Sequence, residues 1–485
     1  VGRLSASDGL PGGGEVAGVD RRFRALLCAH AVSAYGNYLN LIALSLFAYE
    51  VAGGALGVGV VMAVRLSSGF FAGLAAGRIS DRTGRRALMI GTDVAQAAAM
   101  TVLALSAGRT PLLLLAGAVV VMGAGHTLFT VALRSAVPVM VGQDGRREAN
   151  GLLVTLRSFA TVLGFASATP VIALGGYTAA FAVNAASFAV SAAALVTLRP
   201  RTDEADPGPA AAAHGGAADA GTGATDADAG ATTTWRALAA VPAVVLAMVA
   251  LRGADALSSA SHNVALPVLA QQTAPSQPAL LMTQFWSAWA VGTLVAHQVV
   301  KRRKEQRGPA GDERGFATGT VAMSLFFVAA FTGLPGIALM LVALGAGLAD
   351  GYTEIVYTSR LQAAPDRLRS RLFGASAVAE TAGFTLGAVA AAAALEALPV
   401  WAVVGAFHAV AACGGLALLL FRSSARAAAP TTPEPAAPTA TPAPAPPASP
   451  ACTPTDSATH PADRPGDEGE NPHGARTRTG PLPGA

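Results

Sequence analysis

Long apolar stretches separated by short polar joints recur along most of the chain, and they exceed the length of ordinary core helices. A helix needs about 20 mostly apolar residues to cross the roughly 30 Å hydrocarbon core of a bilayer. Measured against that length, the sequence predicts twelve spans. Six fall at roughly 25–49, 56–77, 87–107, 112–134, 151–173 and 178–198. Six more fall at roughly 237–268, 279–300, 316–333, 336–358, 372–395 and 400–421, the seventh span being over-long and expected to break at Pro267. The expected fold is an all-α polytopic membrane protein of two six-helix halves, 25–198 and 237–421.

The remaining polar stretches fit this division. Residues 199–236 are mostly Ala, Gly, Asp and Thr, and residues 422–485 mostly Pro, Ala and Thr. Neither offers enough apolar surface to offset the entropy of ordering, so a disordered linker and a disordered tail are expected. Residues 1–24 form a short N-terminal segment. Arg21, Arg22 and Arg24 lead into the first span with no small-residue cleavage pattern after it, so that span is expected to be retained as a helix.

Basic residues test the count independently, because loops rich in Lys and Arg stay on the cytoplasmic side. Arg78, Arg82, Arg85 and Arg86 fall between spans two and three, and Arg134, Arg146 and Arg147 follow span four. Arg199 and Arg201 follow span six, and the run from Lys301 to Arg314 precedes span nine. Arg360, Arg367, Arg369 and Arg371 follow span ten, and Arg422 and Arg426 follow span twelve. The opposite loops hold only Arg109. This alternation places both termini, the linker and the tail in the cytoplasm and the protein in the inner (plasma) membrane as a multi-pass chain.

Composition agrees. Charged residues make up 13% of 485, about half the share of a soluble protein, and mean hydropathy is +0.48. The net charge of +4 is accounted for by the topology, so no nucleic-acid partner is expected. Cys28, Cys413 and Cys452 give neither a disulfide framework nor metal-ligand spacing. A phosphate-cradling loop needs a lysine after glycine, and neither Lys301 nor Lys304 has one. No His-Glu-x-x-His or Gly-x-Ser-x-Gly constellation occurs. The expectation is a non-enzyme without cofactor or metal, monomeric in the lipid bilayer.

Two features suggest a repeat and a family. Gly123-Ala124-Gly125 in span four is echoed by Gly345-Ala346-Gly347 in span ten. Between spans two and three stands Gly77-Arg78-Ile79-Ser80-Asp81-Arg82-Thr83-Gly84-Arg85-Arg86. The glycines are expected to permit a tight turn. This segment resembles the loop signature of the major facilitator superfamily. Arg65-Leu66, Asp93, Glu148-Ala149-Asn150-Gly151, Phe181 to Phe188 and Arg371-Leu372-Phe373-Gly374 resemble the branch of macrolide-efflux proteins and siderophore exporters. The resemblance implies alternating access by rocking of the two halves about a central site. It further implies that Asp81 latches the cytoplasmic side against the start of span eleven, with Gly77, Arg82, Gly84, Arg85 and Arg86 in the motif and Arg134 as a partner.

Ionisable residues inside spans cost at least about 2.5 kcal/mol each on insertion scales, which makes each a functional candidate. Arg252 and Asp255 are three apart on one helix face, either a structural ion pair or a coupling site. Asp350 and Glu354 are four apart, with only Arg360 nearby, and are the leading candidates to carry a coupled proton. Glu380 is the other. Arg65 and Asp93 are expected to pair structurally. His126 and His297 are read as hydrogen-bonded packing residues. Tyr35, Asn37, Tyr38, Asn40, Phe159, Phe165, His262, Asn263, Gln284, Trp286 and Trp289 are the candidates to line a cavity for a small-molecule substrate. Proton-coupled efflux of small amphipathic molecules (drug, antibiotic, siderophore or other secondary metabolite) is the favoured reading. Uptake by the same fold and a non-transporting sensor or scaffold stay open.

Overall fold

The computed structural model describes residues 21–200, 202, 242–302 and 309–427. Most of the expected linker and tail, and the side chain of Asp81, lie outside the described residues. Helices α1 (Arg21–Ala52), α2 (Ala55–Thr83) and α3 (Arg85–Ser106) open the first half. A helical run Leu112–Leu198 follows, interrupted by non-helical backbone at Gly142 (φ 70°), Gly175 and Gly176 (φ 62°). It therefore comprises α4 (112–141), α5 (143–174) and α6 (177–198). The second half holds α7 (Ala243–Thr273), α8 (Pro278–Arg302), α9 (Pro309–Ala330), α10 (Gly336–Gln362), α11 (Asp366–Leu395) and α12 (Val400–Ala427).

Ten segments are long and apolar enough to cross a membrane by length and composition, with 148–198 taken as one. Dividing that segment at Gly175–Gly176 and adding α9, whose first turns carry Asp312, Glu313 and Arg314, gives the expected twelve. Large apolar side chains such as Phe71, Leu105, Leu113, Leu174 and Ile337 stand on the outer surface, where lipid rather than water would cover them.

Pro267 does not break its helix. α7 runs through it to Thr273, because Leu266, Pro267 and Val268 are all buried against other helices. One backbone hydrogen bond is lost there, and side-chain packing on both sides of the proline holds the helix.

The halves repeat each other in their closest contacts. Gly123 of α4 lies against the Arg65 carbonyl of α2, where a Cβ would come within 2.1 Å, and Gly347 of α10 lies against the Trp289 carbonyl of α8, at 2.0 Å. A Cβ on Gly164 of α5 would come within 2.7 Å of the Tyr35 carbonyl of α1. On α11 two glycines face α7 in this way, Gly383 at 2.2 Å from the Gly253 carbonyl and Gly387 at 2.4 Å from the Leu257 carbonyl. The glycine echo read from the sequence is thus shifted by two: Gly123 corresponds to Gly347, not to Gly345.

An even number of crossings puts the start of α1 and the end of α12 on one face, the face that the basic loops lead us to expect in the cytoplasm. The halves are sealed on the opposite face. One apolar cluster joins Ile42, Leu46, Phe165 and Ala168 to Leu266, Phe285 and Trp286. Another joins Val58, Met62 and Ala63 of α2 to Val264 of α7 and Ala388 and Ala392 of α11. Across the seal Thr169 donates to Thr283 at 2.8 Å and Gln271 donates to Oε1 of Glu50 at 3.4 Å, an oxygen that Tyr177 of the same half also binds. Among the described residues, the buried apolar clusters nearer the chain ends stay within one half.

Candidate functional site

In the second half, α7 carries Arg252 about nine residues in from its cytoplasmic end, and three carboxylates from three helices converge on it. Nη1 lies 3.4 Å from Oδ2 of Asp255 one turn along α7. Nη2 pairs with Oε2 of Glu354 on α10, and Nε lies 3.5 Å from Oε1 of Glu380 on α11. The guanidinium also sits 5.5 Å above the Tyr357 ring. Tyr357 donates to Ser376 at 2.7 Å, and Ser376 donates to Glu380 at 2.6 Å. Asp350, one turn before Glu354, lies beside the Trp289 indole.

One cation thus serves three anions. The Asp255 side chain is 6% exposed, whereas those of Glu354 and Glu380 are 51% and 38% exposed, so the excess negative charge lies at the open edge of the cluster. A single protonation would change which carboxylate Arg252 holds, and with it the tie between α7, α10 and α11. Sequence spacing finds the Arg252–Asp255 pair and the shared face of Asp350 and Glu354. It misses their union, and Arg360 is not the partner of the α10 acids. Its Nε pairs at 3.0 Å with Glu313 on α9.

In the first half, α1 to α6 enclose a cavity of about 650 Å³. Arg65 of α2, Arg134 of α4 and Arg157 of α5 line it with His30, His126, Asn37, Tyr38 and Gln96, and Asp93 is its one lining carboxylate. Arg157 donates through Nε to the Tyr38 hydroxyl at 3.1 Å, and His30 stacks on Phe129 with centroids 5.1 Å apart. Arg65 and Asp93 share the cavity, but no ion pair joins them among the described residues; Asp93 keeps Oδ2 without a hydrogen-bond partner although the residue is 1% exposed. Arg157 is a residue that sequence reading passed over, and a lone arginine inside the apolar run 151–173 was the available signal.

The repeat relates these two clusters. Counting seven residues back from Gly164 and Gly387 reaches Arg157 and Glu380. Counting three on from Gly123 and Gly347 reaches His126 and Asp350, and counting five back from Tyr35 and Leu257 reaches His30 and Arg252. Arg65 corresponds to Trp289 through the carbonyls their glycines touch. Two of the four equivalent pairs, Arg157 with Glu380 and His126 with Asp350, are therefore basic in one half and acidic in the other. Glu354 lies within electrostatic reach of Arg157 across the space between the halves.

Other expected cavity residues are distributed differently. Asn37 and Tyr38 line the first-half cavity. Tyr35 instead accepts a hydrogen bond from Ser167, packing α1 against α5. Asn40 is buried, and Phe159 is 58% exposed on the side of α5 away from Arg157. His262 is buried in the seal, stacked on Phe327 at 3.7 Å, with Nδ1 3.1 Å from Nε2 of His408. Phe165 and Trp286 stack in the same cluster, and Trp289 packs edge-on against Trp286. Asn263 donates to the Ser259 carbonyl of its own helix, and Gln284 lines a separate small pocket with Leu334 and Gly336. His126 faces the cavity and His297 contacts the Thr293 carbonyl.

The loop motif divides its work. Gly84 takes φ 76° between α2 and α3, while a Cβ on Gly77 would meet nothing within 4 Å, so only one glycine makes the turn. Arg86 donates to the carbonyls of Leu195 and Val196, both at 3.1 Å, and so caps the end of α6. Arg85 donates to the Thr202 carbonyl at 3.0 Å. Arg82 ends α2, and Arg134 lines the cavity. The expected Asp81 latch lies outside the described side chains.

Comparison with known proteins matches residues 26–309 to the family model described as Major Facilitator Superfamily. No curated protein matches the sequence. The fold is similar to that of the POT family transporter PepTSo, with TM-score 0.62 and 12% identity over 84% of this chain and 99% of that one. It is similar to an auto-inhibited POT family peptide transporter, with TM-score 0.62 and 14% identity over 83% and 97% of the two chains. It is also similar to the peptide transporter POT in complex with sulfate, with TM-score 0.59 and 18% identity over 83% and 94%. At these identities the likeness is one of fold.

Proposed function

The chain belongs to the Major Facilitator Superfamily, and on that premise we propose that it is a proton-coupled transporter exporting small amphipathic molecules across the plasma membrane by alternating access. The observation that carries this reading is the cluster of Asp255, Glu354 and Glu380 around Arg252. Ionisable groups at that depth are costly, and an excess of carboxylates over cations suits a site that takes up and gives off a proton. The cluster joins α7, α10 and α11, so its charge state bears on how the second half holds together. With the far face sealed and the cytoplasmic side open, cargo enters from within. Asp81 and Arg134 then serve the cytoplasmic latch when the halves rock the other way.

Direction rests on the resemblance to the macrolide-efflux and siderophore-exporter branch. Uptake is the second reading, supported by the peptide transporters whose fold is similar. Untargeted mass spectrometry of cells with and without the gene separates them. Export requires a compound that builds up inside and falls outside on deletion. The reverse pattern means uptake, and no change across several growth conditions removes both readings in favour of a sensor or scaffold.

A further inference from the structure

We propose that the cargo is an amphipathic organic anion whose carboxylate, or other oxyanion head, is held by Arg65, Arg134 and Arg157 in the first-half cavity. This deepens the transport reading and rests on it.

Three guanidiniums line that cavity against one carboxylate, Asp93. Among the described residues, none of the three has a carboxylate within 4 Å; Arg157 has only the neutral Tyr38 hydroxyl. Guanidiniums are the side chains best matched to carboxylate and phosphate oxygens, because their planar donors bind two oxygens at once. Three of them kept from carboxylate partners inside a membrane bundle leave a positive field directed into a space of about 650 Å³, enough for a small molecule. Four polar atoms of lining residues are buried without a partner, Nδ1 of His30, Oδ1 of Asn37, Oε1 of Gln96 and Oδ2 of Asp93; the three oxygens are acceptors, so the oxyanion itself is left to the guanidiniums. Leu41, Phe129, Leu133, Leu153, Val154 and Phe188 give the same cavity an apolar part, which suits a hydrophobic body beside the charged head.

The repeat gives the argument its direction. Arg157 and His126 stand where the second half has Glu380 and Asp350, so the acids that would welcome a cation are on the other wall, and Arg252 already engages Glu354 and Glu380 there. A permanently cationic amphiphile would face the arginines in the cavity itself. An anion is matched by them.

The test uses three probes with one apolar body: 1-pyrenebutyrate, its methyl ester and the corresponding trimethylammonium compound. Binding to the purified full-length chain in lipid nanodiscs is measured by quenching of tryptophan fluorescence, with no ion gradient. The anion is expected to bind at least about tenfold more tightly than the ester or the cation. Arg157→Gln and Arg134→Gln should each remove most of that preference, and Arg157→Lys should keep part of it by retaining the charge. Thermal unfolding of each variant checks that it is folded. Equal binding of all three probes, preference for the cation, no binding, or an anion preference untouched by either Gln variant would overturn the proposal. Because no gradient is applied, anion binding can hold while proton coupling or export fails, and the reverse.

Discussion

Arg157 on α5 and Glu380 on α11 occupy the same place in the two halves, each seven residues before the glycine that packs on the neighbouring helix. In the proposed transport cycle, opposite charges at equivalent positions would divide the work. The basic wall has the chemistry to hold cargo, and the acidic wall has the chemistry to hold a proton. Neither wall is balanced by itself, with three arginines against Asp93 on one side and three carboxylates around Arg252 on the other.

Glu380→Gln removes one carboxylate from around Arg252 while keeping an acceptor for Ser376. Transport driven by a pH gradient is expected to fall at least about tenfold, the equivalent of ~1.4 kcal/mol. Exchange of cargo across the membrane without a gradient should persist. Comparing both modes in proteoliposomes checks this, and equal loss of the two would assign Glu380 to cargo binding or folding.

Arg252→Met strands Asp255, whose side chain is 6% exposed and whose Oδ1 already lacks a partner. Breaking a buried pair from one side costs about 3–5 kcal/mol. Arg252→Met should therefore lower the unfolding temperature sharply, and adding Asp255→Asn should recover most of the loss. Thermal unfolding in detergent measures both. If the double variant is no more stable than the single one, the pair is not the source of the cost.

Thr169→Val deletes the donor that ties α5 of the first half to Thr283 on α8 of the second at the sealed face. One hydroxyl–hydroxyl bond contributes about 1 kcal/mol, so the outward-open population should rise by at most about fivefold. Distances between spin labels placed on opposite halves at each face report the shift. The labels need a background in which Cys28 and Cys413, both exposed, are replaced.

The two motif glycines should behave differently. Gly84→Val forces a β-branched residue to φ 76° and is expected to cost more than about 1 kcal/mol. Gly77→Ala adds a methyl in open space within a helix, and should leave stability unchanged or raise it by about 0.5–1 kcal/mol. Expression level and unfolding temperature of the two variants settle the comparison.

Much of the architecture was legible because lipid imposes a length that apolar runs must meet, and because arginines mark the cytoplasmic joints. Helix ends were less so. α9 starts at Pro309 rather than near 316, since Glu313 can enter the bundle when Arg360 pairs with it. The site was legible only in pieces. Spacing of three or four places Asp255 beside Arg252 and Glu354 beside Asp350, but nothing local says that α7, α10 and α11 meet at one guanidinium. The histidines show the same limit: His262 was visible in a helix, while its partner His408 lies 146 residues away. The shift of two in the glycine repeat, which hides Arg157 from comparison with Glu380, reflects different neighbours. Gly125 packs on Gln96 and Gly345 on the Phe326 ring.

The most direct test of the account is made in inside-out membrane vesicles that hold an acid interior and contain either the native chain or Glu380→Gln. The compound retained by cells lacking the gene is added outside, and the interior pH is followed with a fluorescent dye. Proton-coupled export predicts that the compound discharges the gradient in native vesicles and leaves it intact with Glu380→Gln. Accumulation of the compound in native vesicles with no movement of protons would contradict the assignment of the acidic wall.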